Sequence, residues 1–142
     1  RVLFRSMSHV IEHCHDPMKV LTDCKRWLAP GGMISLATPN FGSLGSHVFG
    51  PDWMPLLPPT HLVLFTTSSL RSALIRAGFH DVQTYATSFA VENNYAPSRK
   101  FQRESGRWKR NIISRLLGSK SVGTAASLFP RLSEDIDITG TA

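Results

Sequence analysis

Residues 16–40, DPMKVLTDCKRWLAPGGMISLATPN, hold a helix start, a helix stop and a strand in immediate succession, and that order constrains the fold more than any other feature. Asp16 has the side chain of a good N-cap, and Pro17 suits the first helical turn because its missing N–H would be unpaired there anyway. Val20, Leu21, Cys24 and Leu28 recur at helical spacing and make one apolar stripe. Pro30-Gly31-Gly32 ends the helix, and the apolar run 33–40 reads as a strand closed by Pro39-Asn40. The same grammar returns downstream. Thr66 or Thr67 caps a helix with Leu70, Ala73, Leu74 and Ala77 on one face, Gly78 stops it, and Phe79 supplies the apolar contact beyond the stop. DVQTYATSF, residues 81–89, then reads as a strand. Helix feeding strand, twice over, predicts α/β layering.

The 142 residues suffice for one domain or part of one, and 42% hydrophobic with 18% charged content describes a packed chain. No run reaches the roughly 18 apolar residues of a membrane span. The lack of a signal-peptide layout and the presence of only Cys14 and Cys24 lead us to expect a reducing, cytoplasmic setting with two buried thiols, the alternative being one disulfide between them. Residues 41–65 are rich in glycine, proline, aromatics and histidine, which predicts an irregular, packed and functional loop. A basic amphipathic helix is expected from Pro97 to about Leu117, with Phe101, Trp108, Ile112 and Leu116 sharing a face and Gly106 as a kink. Small residues follow from Gly118 to Ser127. The closing run EDIDITGT alternates with Ile136 and Ile138 on one side and reads as an edge strand.

The net charge of +6 is concentrated. Eight of the sixteen Lys and Arg lie between Arg99 and Lys120, opposed there only by Glu104. Attraction to anionic partners therefore belongs to that segment, either as a peripheral membrane contact through 97–117 or as a docked helix with solvated charges. Nucleic-acid binding has the charge but no recognised module.

His9-x-x-Glu12-His13 matches the H-x-x-E-H spacing of zinc peptidases, in which two histidines one helical turn apart hold the metal and the glutamate acts on water. That chemistry needs a sustained helix through both histidines, and Pro17 follows closely. Three fixed positions make a weak signal.

A longer stretch carries more information. MSHVIEHCHDPMKVLTDCKRWLAPGGMISLATPN, followed by PPTHLVLFTTSSLRSALIRAGF, resembles the second half of a class I S-adenosylmethionine-dependent methyltransferase, with the ubiquinone-biosynthesis O-methyltransferases as the similar subgroup. The likeness runs from Met7 to about Val82, and SEDIDITGT resembles the closing strand. The resemblance implies an incomplete Rossmann-like sheet, strands 4 to 7, with a basic helical insertion at 97–128 before the last strand. The glycine-rich turn and the ribose-binding acid that hold the cofactor in this fold lie upstream of the matching region, so the chain is expected to bind cofactor poorly by itself. RVLFRS, residues 1–6, is also what a common sequencing adaptor encodes, and these residues are expected to be a non-native leader of a longer protein's fragment.

In the family, Ser8 and His9 would face the methionine end of S-adenosylmethionine. Thr38, Pro39 and Asn40 would line the acceptor pocket, and an E-x-x-E-H segment near the acceptor is associated with a divalent cation. Here that segment reads His9, Glu12, His13, with His9 a departure from the pattern; these residues either hold metal or brace the neighbouring loop. His61 in PPTHL is the candidate catalytic base, since imidazole titrates near neutral pH, or else a loop residue bound to backbone. Trp53, Phe49 and Phe65 either wall an apolar substrate or pack the loop. The implied activity is methyl transfer to a small molecule, at oxygen. The competing readings are a non-catalytic fragment contacting membrane or nucleic acid through the basic helix, and a zinc metallopeptidase.

Overall fold

The structure is a computed structural model that describes residues 1–87, 89–107 and 112–142. Among them, β1 (Val2–Ser8), β2 (Leu28–Pro39), β3 (His80–Tyr85) and β4 (Asp135–Thr141) form a sheet in the order β1-β2-β4-β3. β1 and β2 are parallel and are joined by α1 (Pro17–Trp27), while β4 runs antiparallel to both neighbours. The remaining helices are α2 (Leu44–Phe49), α3 (Thr67–Arg76), α4 (Phe89–Glu104), α5 (Ile112–Leu116) and α6 (Ser119–Leu128).

Local chemistry sets these boundaries. The Asp16 carboxylate accepts from the Lys19 N–H at 2.9 Å to open α1, and Thr66 with Ser69 forms a reciprocal capping box on α3. Leu21 and Cys24 of α1, with Leu70 and Leu74 of α3, are buried against Ile34, Leu36, Ile136 and Ile138 of the sheet. These side chains make the main core, where each fully buried aliphatic contributes about 2 kcal/mol. A second core joins Val48, Phe49 and Trp53 to Val91, Tyr95 and Val122, so α4 and α6 dock on the loop that follows β2. Cys14 and Cys24 are free thiols.

Several expectations are corrected. The closing strand is interior, because β4 inserts between β2 and β3 and hydrogen-bonds to both. Alternation alone could not reveal this, since Asp137 and Thr139 remain only partly covered on one face. The strand beginning at 80 ends at Tyr85, and Phe89 opens α4 eight residues before Pro97. The buried stripe of α4 is accordingly Val91, Tyr95, Ser98 and Gln102, and Phe101 lies off it and is exposed. The helix does not continue to Leu117. α4 ends at Glu104, and Gly106 just beyond it takes φ +72°, a left-handed conformation open to glycine. Ile112 and Leu116 are exposed and do not share a docked face with Phe101, and Trp108 lies outside the described residues. Residues 119–128 form α6, and α2 gives the glycine-rich loop a helical turn capped by Ser43.

Candidate functional site

The sheet register brings three segments together. Ser8 pairs with Ala37, the His9 N–H donates to the Ala37 carbonyl at 2.8 Å, and Pro39 lies opposite Asp135. His9, Pro39 and Asp135 therefore meet at the carboxyl ends of β1 and β2, the end at which open α/β sheets bind ligands. With Met54, Pro55, Leu57 and His61 from the loop, and Ala90, Asn93 and Asn94 from α4, they line a cavity of about 210 Å³.

The segment after β1 supplies its floor. His9 turns the chain with φ +52°, and a single 3₁₀ turn, Ile11–His13, buries Ile11 in the core and Glu12 (1% exposed) beside it. His9 and His13 do not share a helix, so the ligand pair that a zinc peptidase presents is not formed here. Glu12 and His13 instead brace the loop. The Glu12 carbonyl accepts from the Leu62 and Val63 N–H groups at 2.8 and 3.1 Å, its Oε2 accepts from the Thr38 hydroxyl at 2.9 Å, and His13 Nδ1 donates to the Thr60 carbonyl at 2.9 Å.

Two buried carboxylates flank His9. Its Nδ1 lies 3.4 Å from Glu12 Oε1, and its Nε2 lies 3.4 Å from Asp135 Oδ2. Among the described residues, nothing donates a hydrogen bond to the buried Glu12 Oε1 and Asp135 Oδ1. Asp135 is 7% exposed, and burial pushes its carboxyl up to about 6 against the opposing pull of His9, with Asp137, Glu134 and Glu12 adding repulsion. Behind it, Glu134 accepts from the Gly45 N–H at 2.8 Å and from the Trp53 indole N–H at 2.9 Å. Burial raises the Glu134 carboxyl above its usual range, opposed by these donors. Gly45 is required for this close approach, because a β-carbon there would overlap the Glu134 carboxylate.

The other sequence candidates take definite places. His61 lines the cavity, and its Nδ1 donates to the Pro55 carbonyl at 2.6 Å, which leaves the Nε2 lone pair of the neutral ring as its acceptor. Its ring meets that of His13 edge-on at 4.8 Å. Glu12, His13 and His61 offer ligand atoms within 4.8 Å of one another, so this trio could hold a cation, while His9 turns toward Asp135. Ser8 is exposed at the end of β1. Thr38 is buried on Glu12. Asn40 is buried and donates to the Arg131 and Ser133 carbonyls at 3.1 and 2.8 Å. Trp53 is buried in the second core on Glu134 and is absent from the cavity lining. Sequence reasoning missed Asp135, Glu134 and the Asn93-Asn94 wall. An acidic pair opening the last strand was a usable signal only once that strand is placed beside β2.

The methyltransferase-domain family profile matches residues 4–84. No curated protein matches the sequence significantly. Among solved structures, a possible histamine N-methyltransferase of Thermotoga maritima is 18% identical with a TM-score of 0.56, covering 98% of this chain and 55% of that one. An S-adenosylmethionine-dependent methyltransferase of Archaeoglobus fulgidus is 19% identical, TM-score 0.56, with 99% and 59% covered. A phosphoethanolamine N-methyltransferase of Haemonchus contortus, solved with S-adenosylhomocysteine, is 12% identical, TM-score 0.50, with 98% and 32% covered. The chain thus spans little more than half the length of the first two. These neighbours establish the fold. The cofactor that goes with it is S-adenosylmethionine, and the acidic Glu12 and Asp135 beside His9 would suit a cationic group at this end of the sheet. With more than half of its residues matched by one profile, the chain belongs to the methyltransferase domain family.

Proposed function

We propose that the chain is the acceptor-facing half of an S-adenosylmethionine-dependent methyltransferase that methylates a small molecule at oxygen. The observation that carries the reading is the register that brings His9, Pro39 and Asp135 to one cavity at the carboxyl ends of β1 and β2. In this reading β1, β2, β3 and β4 correspond to strands 4, 5, 6 and 7 of the complete sheet, and the order β1-β2-β4-β3 supports that numbering. The outer strand supports it too. Parallel strands are normally buried on both faces, yet six of the seven residues of β1 are exposed, as are Trp27 and Met33. An upstream half-sheet adding to β1 would cover this surface.

S-adenosylmethionine brings an electrophilic methyl group, so the protein must chiefly align an acceptor and exclude water. Met54, Pro55 and Leu57 give the cavity an apolar wall, and Asn93 and Asn94 give it amide groups to orient a polar acceptor. A hydroxyl acceptor has a proton to lose. Asp135, with its carboxyl near 6, and His61, with Nδ1 held by Pro55, are the groups able to take it. Two carboxylates hold His9 at the mouth of the cofactor side.

The protein with its upstream sequence restored, supplied with methyl-tritiated S-adenosylmethionine and a panel of small phenols, catechols and amines, tests the reading. Transfer to hydroxyl acceptors is expected, with Asp135→Asn and His61→Gln lowering kcat by about a hundredfold each, the lower range for a general base. Transfer to amines alone would overturn the choice of oxygen, and no transfer to any acceptor would overturn the reading.

A further inference from the structure

Helix α5 is inverted with respect to the rest of the fold. Its buried residue is a serine: the Ser114 hydroxyl donates to Gln102 Oε1 at 2.6 Å, and Arg99 donates to the Ser114 carbonyl at 2.7 Å. Its apolar residues point outward, with Ile112, Ile113 and Leu116 exposed by 65%, 61% and 79%. Single exposed aliphatics are ordinary, but three on one short helix make a patch that water does not favour. The surrounding charge is one-sided, with eight cations and one acid between residues 99 and 120. Some of these cations are engaged within the fold. Arg107 pairs with Asp52, Lys100 lies 3.9 Å from Glu104, and Arg99 binds backbone carbonyls and faces the Tyr95 ring. Arg115, on α5 itself, and Lys120, at the start of α6, are exposed and have no ion-pair partner among the described residues.

We infer that α5 and the start of α6 form a docking surface for an anionic phospholipid bilayer, Ile112, Ile113 and Leu116 entering the interface while Arg115 and Lys120 meet the headgroups. Aliphatic side chains interleaved with unpaired cations are what such an interface rewards, since apolar burial and attraction to anionic lipid add. A protein partner would need matching acids as well as an apolar groove; a bilayer offers both over its whole surface. The inference goes beyond the methyl-transfer reading and does not depend on it.

Co-sedimentation of the whole chain with phosphatidylcholine vesicles, with and without phosphatidylglycerol, tests it. Binding is expected only with phosphatidylglycerol and is released by salt. Arg115→Ala with Lys120→Ala should weaken partitioning about twenty-fivefold, at about fivefold per cation. Ile112→Ser, Ile113→Ser and Leu116→Ser together, which leave the charge unchanged, should weaken it at least about tenfold. Unchanged circular dichroism shows the fold intact; should the triple variant lose helix, Leu116→Ser alone, at the most exposed position, carries the test. The inference is overturned by failure to bind phosphatidylglycerol vesicles. It is also overturned if the serine variants bind the vesicles as well as the native chain does, or if native self-association disappears in them, because a second copy would then cover the patch.

Discussion

Replacing Asp135 by Asn should make the protein more stable at neutral pH and leave it unchanged in acid. The carboxyl ordinarily titrates at 3.8 and is pushed up to about 6 in the fold, chiefly by burial. At pH below both values the group is protonated folded and unfolded, and contributes nothing. Between them the folded chain holds a proton that the unfolded chain has released, so stability falls as pH rises, and above about 6 the full deficit remains. At about 1.4 kcal/mol per pH unit, the deficit is about 3 kcal/mol. Asparagine keeps the shape and cannot ionise, so it removes the deficit. Urea unfolding followed by circular dichroism should give nearly equal stabilities for both proteins near pH 4 and a gain of about 3 kcal/mol for Asp135→Asn near pH 7.5. Parallel pH profiles for the two proteins would refute the burial of an ionisable Asp135 at the mouth of β4.

Gly45→Ala should destabilise by about 3 kcal/mol, since its β-carbon would displace Glu134 from the Gly45 and Trp53 donors, with quenching changes in Trp53 fluorescence as an independent sign. Thr38→Val should cost about 2 kcal/mol in the same unfolding assay by leaving a Glu12 oxygen without its donor. Arg107→Ala should destabilise near neutral pH, because the Arg107 hydrogen bonds hold the buried Asp52 carboxyl below its usual range. That contribution is present above the ordinary 3.8 and is lost as pH falls through the lowered value, so the difference between variant and native chain should close in acid.

What the sequence made legible followed from local chemistry. The Asp16 and Thr66 caps and the stripe Leu70–Leu74 depend on neighbours within one turn, and each appears where its residues place it. The first helix, by contrast, ends at Trp27 and β2 already begins at Leu28, ahead of the Pro30-Gly31-Gly32 expected to stop the helix. The interior position of β4 depends on partners about fifty to a hundred residues away, and no local pattern encodes that. The start of α4 was hidden because Pro97 marks helix starts, yet here it sits inside a helix that begins at Phe89. Among candidate residues, His9 and His61 reach the cavity, whereas Thr38, Asn40 and Trp53 spend their polar groups on Glu12, on backbone carbonyls and on Glu134. Asp135 escaped notice because an acid at a strand start is ordinary on an edge and becomes chemically significant only when buried opposite Pro39.

The account stands most directly on where the methyl donor binds. In ¹⁵N-labelled protein carrying its upstream sequence, titrated with S-adenosylhomocysteine, amide shifts should concentrate at Ser8, His9, Asn40 and Asp135 and spare Ile75 at the far end of α3. Shifts that leave those four unmoved while the ligand binds elsewhere would contradict it.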